Sequence, residues 1–214
     1  MTALVQSLQT GRIAPLGPQA VASGIAKSRR LDRVAVGPLG LEGDEQADLQ
    51  SHGGPEKAVY AYAGAHFPGW AAHFPRLAFT GGAMGENLTI AGLTETDICA
   101  GDVHLIGTAL LQVCQPRQPC FKLDLLHGDA QLSNRMIRSF QSGWYYRVLE
   151  PGALAAGDAV ILQDRPNPDF PFLRLVEIVY RKQGARADLA RMAQMAGLAS
   201  QWRAWAERKL KTDD

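Results

Sequence analysis

The sequence predicts a mainly β domain, a barrel or sandwich with a few helices, followed by a small C-terminal α-helical domain. Two observations predict it. Glycine is abundant, 22 in 214 residues, and it recurs between short apolar runs instead of gathering in one linker, as in folds built from many short strands and tight turns. Then, past DRPNPDFPF (residues 164–172, three prolines in nine), the apolar spacing becomes helical. The expected division is a β domain over residues 1–165, a Pro-rich linker over 164–172 and a three-helix domain over 173–214.

In chain order, SLQTGRIAPL, RRLDRVAVGPLG, EKAVYAYA, ENLTIAGL, DVHLIG, ALLQVCQP and DAVILQD each read as a strand bounded by turn residues. AGDVHLI and AGDAVIL both place Gly-Asp before a hydrophobic run, a shared turn solution in which Gly supplies positive φ and Asp bonds the turn backbone. AGAHFPGWAAHFP predicts a helix with Pro68 in its first turn. DLLHGDAQLSNRMIRSF, residues 124–140, predicts another, leading into WYYRVL. Beyond the prolines, LRLVEIVYRKQ, ADLARMAQMAGL and SQWRAWAERKLK carry helical spacing, with Arg186-Ala187-Asp188 a start signal and Gly197 a stop. Three short helices bury little alone, so they are expected to pack on the main domain, a second subunit or a partner.

Composition narrows the function. At 46% hydrophobic and 20% charged, with a net charge of +1, the chain gives no electrostatic case for nucleic acid or membrane as its partner. The N-terminus reads as no secretory signal, and three cysteines are an odd number for a disulfide scaffold, so the cytoplasm is the expected compartment. Zinc signatures, a G-x-S-x-G elbow and a phosphate loop are all missing. A Cys–His hydrolase pairing Cys120 with His52, His66 or His73 is arithmetically open, and no spacing selects its base.

Three constellations carry chemistry. In QVCQPRQPCFKL, Pro116 and Pro119 stiffen a turn in which Arg117 and Lys122 bracket Cys120, a setting that favours a thiolate as readily as the turn accommodates a buried thiol. Cys114, inside the apolar run, and Cys99, beside a Gly-Asp turn, read as core or incidental thiols. In LEGDEQADLQSHGGPEKA, four carboxylates (Glu42, Asp44, Glu45, Asp48) form a solvated loop. His52-Gly53-Gly54 with Lys57 reads either as a turn or as an anion-binding nest. In GGAMGENLTI, Asn87 offers an amide ahead of a strand.

Taken in this order, GLEGDEQADLQSHGGPEKAV and GENLTIAGLTETDICAGDVHLIGTALLQVCQPRQPCFKL resemble the MOSC domain, the module found also at the C-terminal end of molybdenum cofactor sulfurases. The helical tail resembles the three-helix extension of its YiiM-like branch. The resemblance implies a MOSC-type β-barrel and a molybdenum cofactor, Mo-molybdopterin, with Cys120 as the protein ligand to the metal. It also implies His52, Gly53, Gly54, Lys57, Asn87, Arg117 and Lys122 around the cofactor, with Lys27 of SGIAK as a further anion contact. The implied activity is reduction of N-hydroxylated compounds, such as hydroxylaminopurine-type base analogues, with His52 or an acidic neighbour such as Glu86 or Asp44 delivering protons. The alternative is a sulfur carrier or cofactor-delivery protein using Cys120 as a persulfide; another is a binding module that recognises anions through the SHGG nest. No iron–sulfur or flavin fingerprint is present, so an oxidoreductase would need a separate electron-donor reductase. The tail offers a docking or homodimer surface with Trp202 and Trp205 as candidate anchors, against which stands plain packing within the chain.

Overall fold

The computed structural model describes residues 2–50 and 52–212. The first strands are β1 (Leu4–Thr10), β2 (Ala14–Leu16), β3 (Val21–Ser23), β4 (Ser28–Arg30), β5 (Val34–Gly37) and β6 (Gly40–Leu41). Then come β7 (Val59–Ala63), helix α1 (Phe67–His73), β8 (Leu88–Ala91), β9 (Val103–Ile106) and β10 (Ala109–Pro116). Helices α2 (Phe121–His127) and α3 (Leu132–Ser139) precede β11 (Trp144–Glu150), β12 (Gly152–Leu154) and β13 (Val160–Asp164). The chain closes with α4 (Phe172–Arg181), α5 (Arg186–Ala193) and α6 (Ser200–Thr212).

One eight-stranded sheet, in the order β13-β9-β10-β11-β7-β8-β1-β4, carries the architecture, beside a three-stranded sheet β12-β5-β6 and the β2-β3 hairpin. Only β7 and β8 pair in parallel among these ladders, which requires the crossover that α1 provides. The closed barrel expected from sequence is not formed. The outer edge of β1 is divided: Leu8–Thr10 pair with β4, and only its start reaches the far end of the sheet, through an isolated bridge from Leu4 to Ala159. Val5 N–H donates to the Asp158 carbonyl there at 2.9 Å. The two ends of the sheet touch at one corner, and beyond it β4 occupies the edge a closing ladder would need.

Alternation along β7 explains why all of VYAYA is buried. Val59, Ala61 and Ala63 face the main core, while Tyr60 and Tyr62 face a second cluster with Trp70, Phe79, Met84, Leu123, Leu132 and Met136. The main core also takes in Phe172, Leu175, Val176, Val179, Leu189, Met192, Met195, Leu198 and Trp202, so α4, α5 and α6 share the apolar interior of the sheet. The proline-rich stretch ahead of α4 is pinned by Asn167, whose Nδ2 donates to the carbonyls of Ala100 (2.7 Å) and Ala196 (2.9 Å).

The helix expected over residues 124–140 is two helices. Gly128, at φ 66°, terminates α2 with its N–H on the Asp124 carbonyl. The Asp124 carboxylate then accepts from Ser133 N–H (2.8 Å) and Oγ (2.6 Å), holding the first turn of α3.

The two Gly-Asp turns are the same device. Gly101 and Gly157 sit at φ 90° and 92°. Asp102 accepts Cys99 N–H at 2.9 Å and Asp158 accepts Ala155 N–H at 2.8 Å, each three residues back. An arginine then closes each turn, Arg165 on Asp102 and Arg33 on Asp158. The strands they launch, β9 and β13, pair with each other.

Candidate functional site: a charged cleft beside Cys120

The end of β10, the loops at residues 23–27 and 44–48, and the 3-10 turn Pro55–Lys57 surround an open cleft. The loops meet closely: a Cβ on Gly24 would lie 2.0 Å from the Glu45 carbonyl oxygen, so only glycine lets that backbone approach.

β10 delivers Arg117 to the cleft, and the following turn brings back Cys120, the residue that caps the start of α2 in extended conformation. Cys120 is partly exposed, whereas Cys99 and Cys114 are buried. Burial pushes the Cys114 thiol up to about 12, and its Sγ donates to the Glu56 carbonyl at 3.1 Å. Burial likewise raises the Cys99 thiol. Those two are core thiols, and Cys120 is the one that faces open space.

Arg117 is 6% exposed. Its guanidinium lies over the Tyr60 ring at 5.0 Å and contacts Met136 Sδ at 3.8 Å. Among the described residues, no carboxylate pairs with it. Lys57, Lys122 and His52 line the same cleft, and Asp44, Glu45 and Asp48 line it as well. Burial lowers the His52 pKa, and repulsion from Arg117, Lys122 and Lys57 lowers it further, against Asp48. His52 is therefore held neutral at pH 7. The alternative bases are elsewhere: His66 pairs with Glu95 at 2.7 Å, and His73 is exposed on α1.

Other expected site residues are placed differently. Gly53 and Gly54 are not lining residues of the cleft; Gly54, at φ 93°, starts the turn that presents Lys57. Ser51, the first residue of SHGG, lies outside the described residues. Asn87 lines the cleft, but its amide is engaged, Oδ1 by Tyr60 N–H (3.0 Å) and Nδ2 by the Gln9 carbonyl (3.3 Å). Lys27 also lines it, with Nζ 2.5 Å from Asp44 Oδ1, so its charge is already met. Glu86 is turned away from the cleft, fully buried, and accepts from Gly82 N–H, Met84 N–H and Thr89 Oγ. It is the clasp of its own loop, and no proton donor to a ligand.

Sequence reasoning passed over Tyr60 and Tyr145, which line the cleft as a cross-strand pair with rings 5.2 Å apart. The alternation of tyrosines with small residues in VYAYA signals Tyr60, whereas Tyr145 stands in WYYRVL, where no alternation marks it.

The MOSC domain family model matches residues 48–161, a span containing His52, Lys57, Arg117, Cys120 and Lys122. Protein YiiM of Escherichia coli (strain K12) is 36% identical over 195 residues, covering 90% of this chain and 86% of that protein. The crystal structure of YiiM from Geobacillus stearothermophilus aligns with a TM-score of 0.83 at 33% identity, over 97% of this chain and 99% of that one. A protein named "Reductase" from Gibberella moniliformis (strain M3125 / FGSC 7600) is 34% identical over 178 residues, 82% of this chain but 32% of that protein. Motif order, fold and relatives agree, and the chain belongs to the MOSC domain family.

Proposed function

We propose that this protein is a molybdenum-cofactor oxidoreductase that reduces N-hydroxylated compounds, with Cys120 the protein ligand to the metal. The observation that carries the reading is the Arg117 guanidinium, 6% exposed and without a carboxylate partner, in the cleft wall that Cys120 also lines. A buried cation is costly unless an anion meets it, and a phosphorylated pterin supplies one. Among the described residues, no group of three or more His, Cys, Asp or Glu side chains is placed to hold a metal ion. A metal held here would therefore arrive already chelated and need one soft donor from the protein, which suits a thiolate. When bound, the cofactor supplies a two-electron centre able to take oxygen from an N–O bond.

The chain's own residues do the rest. Arg117, Lys57 and Lys122 hold the anionic group, and Tyr60 and Tyr145 give the cleft an aromatic floor. Burial first, and then its cationic neighbours, lower the proton affinity of His52; an anion bound among those cations would offset the second cause, which makes His52 the candidate to deliver the proton that N–O cleavage consumes. Electrons come from a separate donor protein. No helix among the described residues is long and apolar enough to cross a membrane, and the three unpaired cysteines suit the reducing cytoplasm proposed as its compartment.

Co-expression with cofactor biosynthesis, followed by molybdenum and pterin quantification in wild type and Cys120→Ser, tests this. Wild type is expected to carry near-stoichiometric molybdenum and to reduce an N-hydroxylated substrate. Cys120→Ser is expected to lose metal retention or activity by more than the roughly 10–100-fold that removing a mere supporting partner of a ligand costs. Equal molybdenum and equal turnover in both proteins would remove Cys120 from the metal. Labile sulfur on Cys120 in a metal-free wild type would replace the reading with sulfur transfer.

A further inference from the structure

We infer that Glu56 and Ser200 are positioning residues, through which the C-terminal helices set the cation wall of the cleft; this rests on the anion-binding reading above. The turn that presents Lys57 is only three residues long, buries none of them, and has no side-chain cap. Such a turn has no buried side chain of its own to hold it, and what packing it has is against β11. To that packing Glu56 adds a polar anchor, gripped at both ends.

Its carboxylate accepts Arg147 Nη2 (2.9 Å) from β11, and Ser200 N–H (2.9 and 3.1 Å) and Oγ (2.9 Å) from the start of α6. Its carbonyl accepts Gln115 Nε2 (2.7 Å) from β10. The other end of that amide, Gln115 Oε1, accepts Gln201 Nε2 and Trp202 Nε1 of α6. The first turn of α6 thus reaches the wall through Ser200, Gln201 and Trp202. Residues 144 positions apart in sequence meet at Glu56, immediately before Lys57 and four positions after His52. Neither Glu56 nor Ser200 lines the cleft, so neither touches a ligand there; they act through Lys57.

The consequence is that loosening α6 from Glu56 weakens anion binding without disturbing the core. Inorganic pyrophosphate is a usable probe, followed by chemical-shift changes in backbone amide NMR spectra of the full chain. Wild type is expected to bind it. Ser200→Ala and Glu56→Gln are expected to bind about tenfold more weakly, with Ser200→Thr, which keeps the hydroxyl, restored to wild-type affinity and all thermal midpoints within a few degrees. In loaded enzyme the same variants are expected to lose cofactor occupancy, while turnover per bound molybdenum is retained. Wild-type affinity in Ser200→Ala and Glu56→Gln would overturn the positioning role while leaving the cleft reading intact. No pyrophosphate binding by wild type would remove the anion site itself, and the inference with it. A loss of affinity that Ser200→Thr shares would reduce Ser200 to a steric part of the fold and also overturn it.

Discussion

Arg117 and Cys120 lie three residues apart, yet they reach the cleft by different routes, one from the end of a strand and the other from the cap of a helix. That difference leaves Arg117 buried and Cys120 partly open. A reagent can then sort the three thiols. Iodoacetamide applied to the folded, cofactor-free protein is expected to alkylate Cys120 alone, because Cys99 and Cys114 are 4% and 0% exposed and burial holds both as protonated thiols. Intact-mass and peptide analysis should show one adduct, on Cys120; an early adduct on Cys114 would contradict the packing. The bracketing of Cys120 by charge and proline is short-range, so it was legible in sequence. The orientation of Glu86 was not, since an acid beside a glycine turn reads alike whether it faces solvent or clasps its own loop. Glu56 was invisible for another reason: the partners that give it meaning lie on β10, β11 and α6.

Elements were legible where turn chemistry is local. The paired Gly-Asp turns repeat down to the arginine on each aspartate, but their glycines stand in unequal surroundings. A Cβ on Gly157 meets nothing within 4 Å, whereas one on Gly101 would lie 2.5 Å from the Ala196 carbonyl oxygen and 2.8 Å from Pro166 Cγ. Gly157→Ala should therefore cost only the left-handed backbone strain, about 1–2 kcal/mol. Gly101→Ala adds overlap with fixed backbone, raising the loss to about 3 kcal/mol or more. Urea midpoints of the two variants check the order, and a reversal would show that the turn at residues 99–102 yields where the structure has it braced. Legibility failed where two signals compete. The apolar spacing over residues 124–140 continues as a helix, yet Gly128 ends α2 and Asp124 begins α3. Strands of three residues, such as β3 and β12, are too short for alternation to register.

At the scale of the whole molecule, the open sheet follows from competition for one edge. Strand content was readable from local runs, but closure depended on whether β4 or β13 would claim the outer side of β1, and no local pattern encodes that choice. The tail raises the same question of long-range contact. Its helices read from sequence as a unit beyond a linker that has to pack on the main domain, a second subunit or a partner, and no local pattern chose among these; Phe172, Leu175, Val176, Val179, Met195, Leu198 and Trp202 are buried in one cluster with Val5, Ile90, Ala109 and Trp144 of the sheet. Each large side chain removed from such a core costs about 2–5 kcal/mol, so losing seven exceeds the roughly 5–15 kcal/mol that stabilises a domain. A chain ending at Pro171 is therefore expected to show no cooperative thermal transition, and the full chain to unfold in a single one whose calorimetric and van't Hoff enthalpies agree. A soluble 1–171 fragment with a sharp transition near that of the full chain would show that the sheet is complete without its helices, and that the shared core is a contact between two units able to fold apart.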